Sequence, residues 1–405
     1  MLSLAAALSA CVWATGCLGD DDEAAPGAAR EVTHESALLT GSTEASYRYR
    51  LAGSRAWQRS LQARISGLRP GTRYVYEACT GRGPAAECGP PDGESAESGR
   101  FQTRLRYPPP ELDSPTTVSL DSHPDYCENS SPTGGDGGLD DAKDYVIELP
   151  STPLECSLDV RGGRNVVIKG GDIRIPNINE SPRNPELHRG LYLSNQTGTI
   201  HVEGVRLSGD ELSVPIVLNQ GRGATVQLQQ IRAERIFTDY PNWGPLHADC
   251  IQTWSGPNVL RVDGYTCSTD YFGLQLSPTQ YSDDENNWPD LMEFRHMNFR
   301  PWRRPDDLTR FMFWRTRVSP RTEWWPMTFD DVWTEPGYQG GGTDSALTCY
   351  SAQFKATIPA NGGVWEELSS DQSCASWPRF SYGQPPGGDF VRARDVGVGY
   401  RTPGY

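Results

Sequence analysis

IHVEGVRL, residues 200–207, alternates apolar and polar residues, breaks at Glu203-Gly204, and then resumes the alternation. The same form, apolar-x-apolar-x-x-apolar-x-apolar, occurs as VVIKGGDI from Val166, VQLQQIRA from Val226 and LRVDGYTC from Leu260. It recurs as MEFRHMNF from Met292 and MTFDDVWT from Met327, with VRARDVGV from Val391 as a weaker last copy. Successive starts lie 34, 26, 34, 32 and 35 residues apart, and the final gap of 64 has room for one degenerate copy. Period-two alternation is the signal of a strand with one buried face, and a fixed period of this length is the signal of stacked units.

A second short apolar strand precedes each copy: GLYLSNQ, IVLNQG, CIQTWSG, GLQLSP, FMFWRT and LTCYS. Two strands per repeat with short turns and variable loops is the sequence form of a parallel β-helix, in which each coil buries its inward residues against its neighbours. Stacking the coils puts Leu191, Ile216, Ile251, Leu274 and Phe311 in one inward column, and Leu193, Leu218, Thr253, Leu276 and Phe313 in a second. Residues between them point outward, so Gln252 and Gln275 become neighbours on adjacent coils. Tyr192 and Met312 share their column, and Trp254 also faces out. A ragged polar zone precedes the strand: His188 and Arg189, then His247 and Asp249, then Asp270 and Tyr271, then Arg310. By parity Asp249 shares a side with Ile251, so His247 and Asp249 face solvent only if the chain bends, as Gly244-Pro245 allows.

The repeat from about residue 118 to 400 resembles the pectin-lyase-like right-handed parallel β-helix superfamily. GGRNVVIKGGDIRI looks like its opening coil, and DGGLDDAKDYVIELP like the segment that caps it. The resemblance implies polysaccharide as substrate or ligand. Lyases of that superfamily abstract a proton with Arg or Lys while calcium neutralises a uronate, and its hydrolases use clustered aspartates. The aspartate set of the polygalacturonase-like hydrolases is absent, and no compact acidic calcium cluster is evident. SDDENN (282–287) reads first as a solvated turn, with calcium the one cofactor to weigh; otherwise none is expected, and no metal site. A His beside a carboxylate titrates near neutrality, so His247, Asp249 and Asp270 are the acid/base candidates. Arg189 and Arg310 could neutralise a sugar carboxylate. Gln252, Gln275, Trp254, Tyr271 and Tyr192 are the substrate-binding candidates, since sugar C–H faces stack on aromatic rings. The competing reading is that these polar groups satisfy backbone at a coil corner. RPWRRPDD offers Arg300, Arg303 and Arg304 as a basic patch or as salt-bridged loop residues.

Four expectations concern the rest of the chain. The 405 residues carry a net charge of −15, which argues against nucleic acid and anionic membrane surfaces as partners. The start, MLSLAAALSACVWATGCLGDDDE, resembles a bacterial lipoprotein signal, with Cys11 or Cys17 as lipid acceptor and an ordinary signal peptide as the alternative. With Cys17 lipidated and Cys11 removed, eight of the ten cysteines remain as near neighbours. Cys79/Cys88, Cys127/Cys156, Cys250/Cys267 and Cys349/Cys374 are the expected disulfides.

The domain order then reads signal 1–17, acidic tether 18–35, an antiparallel module 36–104, Pro-rich linker 105–117 and β-helix 118–405. ISGLRPGTRYVYEACTG in the module resembles the E–F corner of a fibronectin type III domain, though Trp57 lies too late for that family's strand-B tryptophan. YPPP after it reads as a stiff spacer. The fold expected is all-β. The function expected is that of a monomeric, exported, lipid-anchored surface protein that binds a polysaccharide and, as an enzyme, cleaves it, with lyase preferred to hydrolase. A non-enzymatic adhesin or glycan-binding β-helix is the alternative.

Overall fold

The computed structural model describes residues 29–40, 46–80, 87–88, 98–122, 127, 138–177, 185–236, 248–279, 288–302, 311–318, 323–335, 337–338, 345–354, 367–371, 374 and 377–405. The protein is nearly all β, and its bulk is two long, mainly parallel sheets. One sheet holds the repeats quoted above. Val166, Ile200, Val226, Leu260, Met292 and Met327 pair in that order, strand on strand, all parallel. The second sheet holds the strands that precede them, and the chain passes from one sheet to the other at each repeat. Residues of both sheets enclose a single apolar core, in which Ile168, Val202, Leu228, Val262 and Phe294 form one fully buried row.

The break within each repeat has a backbone cause. Its fifth residue is left-handed in all six copies that form strands: Gly170, Gly204, Gln230, Gly264, His296 and Asp331 have φ of 68, 70, 50, 79, 47 and 58°. This corner turns the second half of the repeat in a new direction while keeping parallel pairing on both sides. The weak copy at Val391 forms no strand; Ala393–Asp395 is a 3-10 turn. Residues 377–405 instead run back along the outside of the repeat sheet. Strand Ser381–Tyr382 pairs with the last repeat, Gly397 N donates to Gly204 O, and Leu105 N donates to Gly404 O.

Two columns expected in the second sheet shift by two residues at one strand. Phe313, not Phe311, pairs with Leu274, and Arg315, not Phe313, pairs with Leu276. Trp314 rather than Met312 therefore shares the column of Gln252 and Gln275. The cause is a bulge at Gly273, where two residues advance against one. A Cβ there would sit 2.4 Å from the Phe313 ring, so glycine is what admits that ring.

All four expected disulfides are present: Cys79–Cys88, Cys127–Cys156, Cys250–Cys267 and Cys349–Cys374. Such bonds fit an oxidising, extracellular environment. Cys250–Cys267 joins the two parallel sheets across the core.

The N-terminal strands are antiparallel and form a two-stranded and a five-stranded sheet. Ala37, Ile65, Tyr47, Tyr76 and Phe101 from the two sheets share one core. The Pro-rich segment begins docked rather than free: Leu105 and Tyr107 are buried, Arg106 Nε donates to Asp263 at 2.9 Å, and Tyr107 OH donates to Glu293 at 2.5 Å.

Candidate functional site

Two places on the parallel sheets gather polar side chains. The first lies on the second sheet, where the sequence candidates were placed. His247 and Arg310 fall outside the described residues. Asp249 is fully buried, and its N–H donates to Ser213 O at 3.3 Å. With its amide nitrogen turned to the carboxylate, Gln275 donates to both Asp249 oxygens, at 2.5 and 3.2 Å. The Gln252 and Gln275 amides meet at 2.9 Å on paired strands, as neighbours on adjacent rungs, yet both are buried.

Asp249 reaches this group because alternation fails just after it. Cys250 and Ile251 are consecutive and both belong to the core, which leaves Asp249 on the opposite side. A second knot lies beside it. Tyr192 and Trp254 meet edge to face at 6.0 Å, and the Arg189 guanidinium lies 5.2 and 4.6 Å from their centroids. Arg189 is buried against these rings, with its aliphatic stem and planar head both used in packing. Asp270 is buried, and Tyr271 packs against the core and the Phe272 ring. The structure thus brings Asp249, Gln252 and Gln275 together in a buried group, and Arg189, Tyr192 and the half-buried Trp254 together in another.

The second place is an open cleft of about 710 Å³ on the repeat sheet, beyond the left-handed corners. Asp172, Arg206, Arg232 and Thr266 stand on successive rungs, as do Arg174 and Ser208. Five arginines (174, 206, 232, 235 and 300) line it against three carboxylates (Asp172, Asp210 and Glu234). Glu234 accepts Arg206 at 2.7 and 3.0 Å and Arg232 at 2.6 Å. Burial pushes its carboxyl up, but these two guanidinium contacts outweigh burial and hold it below the usual range. Arg232 and Arg300 both donate to Asp389 of the returning C-terminal segment, each at 3.0 Å.

Arg174 and Arg235 differ from the other three. Both are exposed, and among the described residues neither side chain makes an ion pair or hydrogen bond. Arg235 sits in a bulge: Glu234 and Arg235 together oppose Ser268, and Arg235 holds φ 59° while its N–H donates to Ser268 Oγ at 2.8 Å. A non-glycine residue in this conformation costs about 1 kcal/mol or more, so the bulge trades stability for the direction of one guanidinium. Asp172 completes the cleft. Burial raises its carboxyl pKa, with Arg206 opposing.

Of the cleft residues, sequence reasoning singled out only Arg300. The signal was in the seventh position of each repeat, which carries Asp172, Arg206 and Arg232 in adjacent copies. Arg303 and Arg304 lie outside the described residues, as does the acidic turn 282–287. Among the described residues no group of three His, Cys, Asp or Glu side chains is placed to hold a metal ion, and no helix is long and apolar enough to cross a membrane. No protein family, no curated protein and no solved structure matches the chain.

Proposed function

We propose that the chain is an exported carbohydrate-active protein that binds an anionic polysaccharide in the arginine cleft. Its body is read as a right-handed parallel β-helix. The alternation of strands between two sheets and the left-handed corner in every repeat support that reading. The N-terminal module is read as fibronectin III-like. Tyr74 OH accepts the Arg69 N–H at 2.9 Å, the backbone contact that ties such corners in immunoglobulin-like sandwiches. The leader and Cys17, outside the described residues, are read as the signal and lipid anchor that would hold the protein at the cell surface.

The observation that carries the functional reading is the pair of arginines without a side-chain partner among the described residues, one of them set in a left-handed bulge. Overall charge of −15 opposes a polyanion, but that field is screened beyond about 8 Å at physiological salt. Within the cleft, guanidinium–carboxylate contacts at hydrogen-bond distance dominate. Cleavage by β-elimination is the catalytic form of the same reading. The raised Asp172 carboxyl favours it, because a shifted titration inside a cleft is what general acid/base work requires.

The test is titration calorimetry against a panel of polyuronates, sulfated glycans and neutral glycans, with unsaturated-product absorbance and reducing ends followed in parallel. Binding to one acidic class, weakened by salt and about tenfold by Arg174→Ala with Arg235→Ala, is expected. Equal binding of neutral glycans, or no effect of the double substitution, would refute the cleft as the site. Product formed by wild type and abolished by Asp172→Asn identifies the lyase; binding without product identifies the adhesin.

A further inference from the structure

A small cavity of about 140 Å³ lies where three parts of the chain meet. Arg73 and Gln102 reach it from paired strands of the N-terminal module, and Gln230 from a corner of the repeat sheet. Arg394, Asp395 and Arg401 reach it from the returning C-terminal segment. The parts come this close because Gly71 has no side chain. It is left-handed, with φ 60°, and a Cβ on it would lie 2.7 Å from Gln230 Nε2 and 2.9 Å from Leu105 Cδ2. The buried Gln230 amide donates to Pro70 O at 3.3 Å and so joins module to sheet beside the cavity.

The charge around this cavity is unbalanced. Three arginines line it against one carboxylate, that of Asp395. That carboxylate already accepts Arg392 Nε at 3.1 Å, and Arg394 Nε stands 3.9 Å from it. Arg73 Nε donates to a neutral acceptor, Gln102 Oε1, at 3.3 Å. Among the described residues the Arg401 side chain makes no hydrogen bond or ion pair. All three arginines are exposed, so solvent and solutes reach them. Cations held around one hollow by separate segments repel one another, and an anion with several acceptor atoms relieves that repulsion. The local excess of positive charge stands in a chain whose net charge is −15.

We propose that this cavity binds a tetrahedral oxyanion, a phosphate or sulfate group, between the N-terminal module and the returning segment. Arg73 supplies the module's contact, and Arg394 and Arg401 those of the returning segment. A tetrahedral dianion presents acceptors in several directions, so each guanidinium fork meets its own pair, which a planar carboxylate does not allow. The cavity is far smaller than the 710 Å³ cleft and suits one anionic group rather than a run of sugars. It shares no lining residue with the cleft and does not rest on the reading of the cleft.

The experiment is thermal unfolding of the full chain in graded sodium phosphate or sodium sulfate, with chloride holding ionic strength constant, joined to titration calorimetry with inorganic phosphate. Glycerol 3-phosphate and glucose 6-sulfate present the same group as an ester, and acetate is the planar monoanion. The variants are Arg73→Gln with Arg401→Gln, Arg401→Lys and, as a cleft control, Arg174→Ala with Arg235→Ala. Wild type is expected to gain Tm with phosphate and sulfate in a saturable way, by mass action, distinct from the unsaturating rise that excluded salts give. The cleft variant keeps the gain. The double pocket variant loses it, with affinity for phosphate down about tenfold or more. Arg401→Lys, which keeps the charge but loses the fork, falls between. Esters as effective as the free ions make a phosphorylated or sulfated molecule the ligand, and inactive esters make it the free ion. Acetate matching phosphate overturns the tetrahedral oxyanion and the proposal with it. So does the absence of a saturable gain, its retention in the double pocket variant, or its loss in the cleft variant alone. Should the double variant fail to fold, Arg401→Gln alone is titrated with phosphate, and an affinity equal to wild type counts against the site.

Discussion

Gly204 shows how much a single atom decides in a stacked fold. It is left-handed, with φ 70°, and a Cβ on it would lie 2.3 Å from the Tyr400 ring of the returning segment. Gly204→Ala therefore combines backbone strain with overpacking and should cost about 2–3 kcal/mol, read as a lower urea midpoint with unchanged slope. Adding Tyr400→Ala should remove the steric part, so that the two substitutions are markedly non-additive. Asp144 works by charge instead. Its carboxylate accepts Arg164 at 2.7 and 2.8 Å and the N–H groups of Asp113 and Asn165 at 2.7 and 3.2 Å. The Arg164 hydrogen bonds, followed by those of the two amides, outweigh burial and bring its pKa to about 2. A depressed carboxylate pKa stabilises the fold above the unfolded value near 4 and ceases to do so as pH falls through about 2. Asp144→Asn should thus cost about 2 kcal/mol at pH 7, discounted for the exposure of Arg164. The deficit against wild type should shrink between about pH 4 and 2 in acid-unfolding curves.

At the scale of the strand, bulges separate what can be read from what cannot. The apolar octets gave the repeat, its partners and its pairing order, because burial on one face leaves a period that any register must respect. Two bulges then displaced side chains by amounts the period does not encode. Gly273 moved Phe313 beside Leu274, and the Glu234–Arg235 bulge turned a charge into the cleft. Inside Asp249–Ser255 a parity break between Cys250 and Ile251 put Asp249 on the Gln275 side, whereas the bend expected at Gly244-Pro245 lies outside the described residues. The arginine cleft was therefore less legible than the fold: its members come from five rungs and a bulge, and Arg174, Glu234, Arg235 and Arg300 lie just past the ends of their octets. If the bulge serves binding, relaxing it should separate stability from function. Arg235→Gly keeps the left-handed turn at lower conformational cost and should raise stability by about 0.5–1 kcal/mol in denaturant titration. The same variant should bind polyuronate more weakly. A variant that loses stability and keeps affinity would make Arg235 a structural turn residue.

Across the whole molecule, polarity proved a poor guide to solvent. The outer face of the repeat sheet carries His201, Glu203, Gln229 and Asp263, residues that alternation assigns to water, yet all four are buried. They serve as the floor on which other segments dock. His201 bridges Gln227 and Glu203 at 2.9 Å each, and Tyr405 OH also donates to Glu203. Gln229 exchanges hydrogen bonds with the Tyr107 backbone at 2.9 and 2.6 Å, and Asp263 accepts both Arg106 and His296. Tyrosine, arginine and the returning segment thus hold the start of the Pro-rich linker against the sheet, where the sequence suggested a stiff spacer between domains. The N-terminal module is fixed by the same contacts and by Arg392 Nη1 donating to Ala52 O at 2.6 Å. Removing the two linker anchors should loosen this without dismantling the stack, because the core of the parallel sheets uses neither residue. Arg106→Ala with Tyr107→Ala leaves Asp263 and Glu293 short of partners and should cost about 3 kcal/mol or more. The loss should show as a new protease-sensitive site within residues 104–112 and a larger radius of gyration in small-angle scattering. Wild type should resist cleavage there, since the buried Leu105 and Tyr107 backbone must first detach. Equal cleavage of both proteins would mean that the linker moves freely and that the docked contacts contribute little.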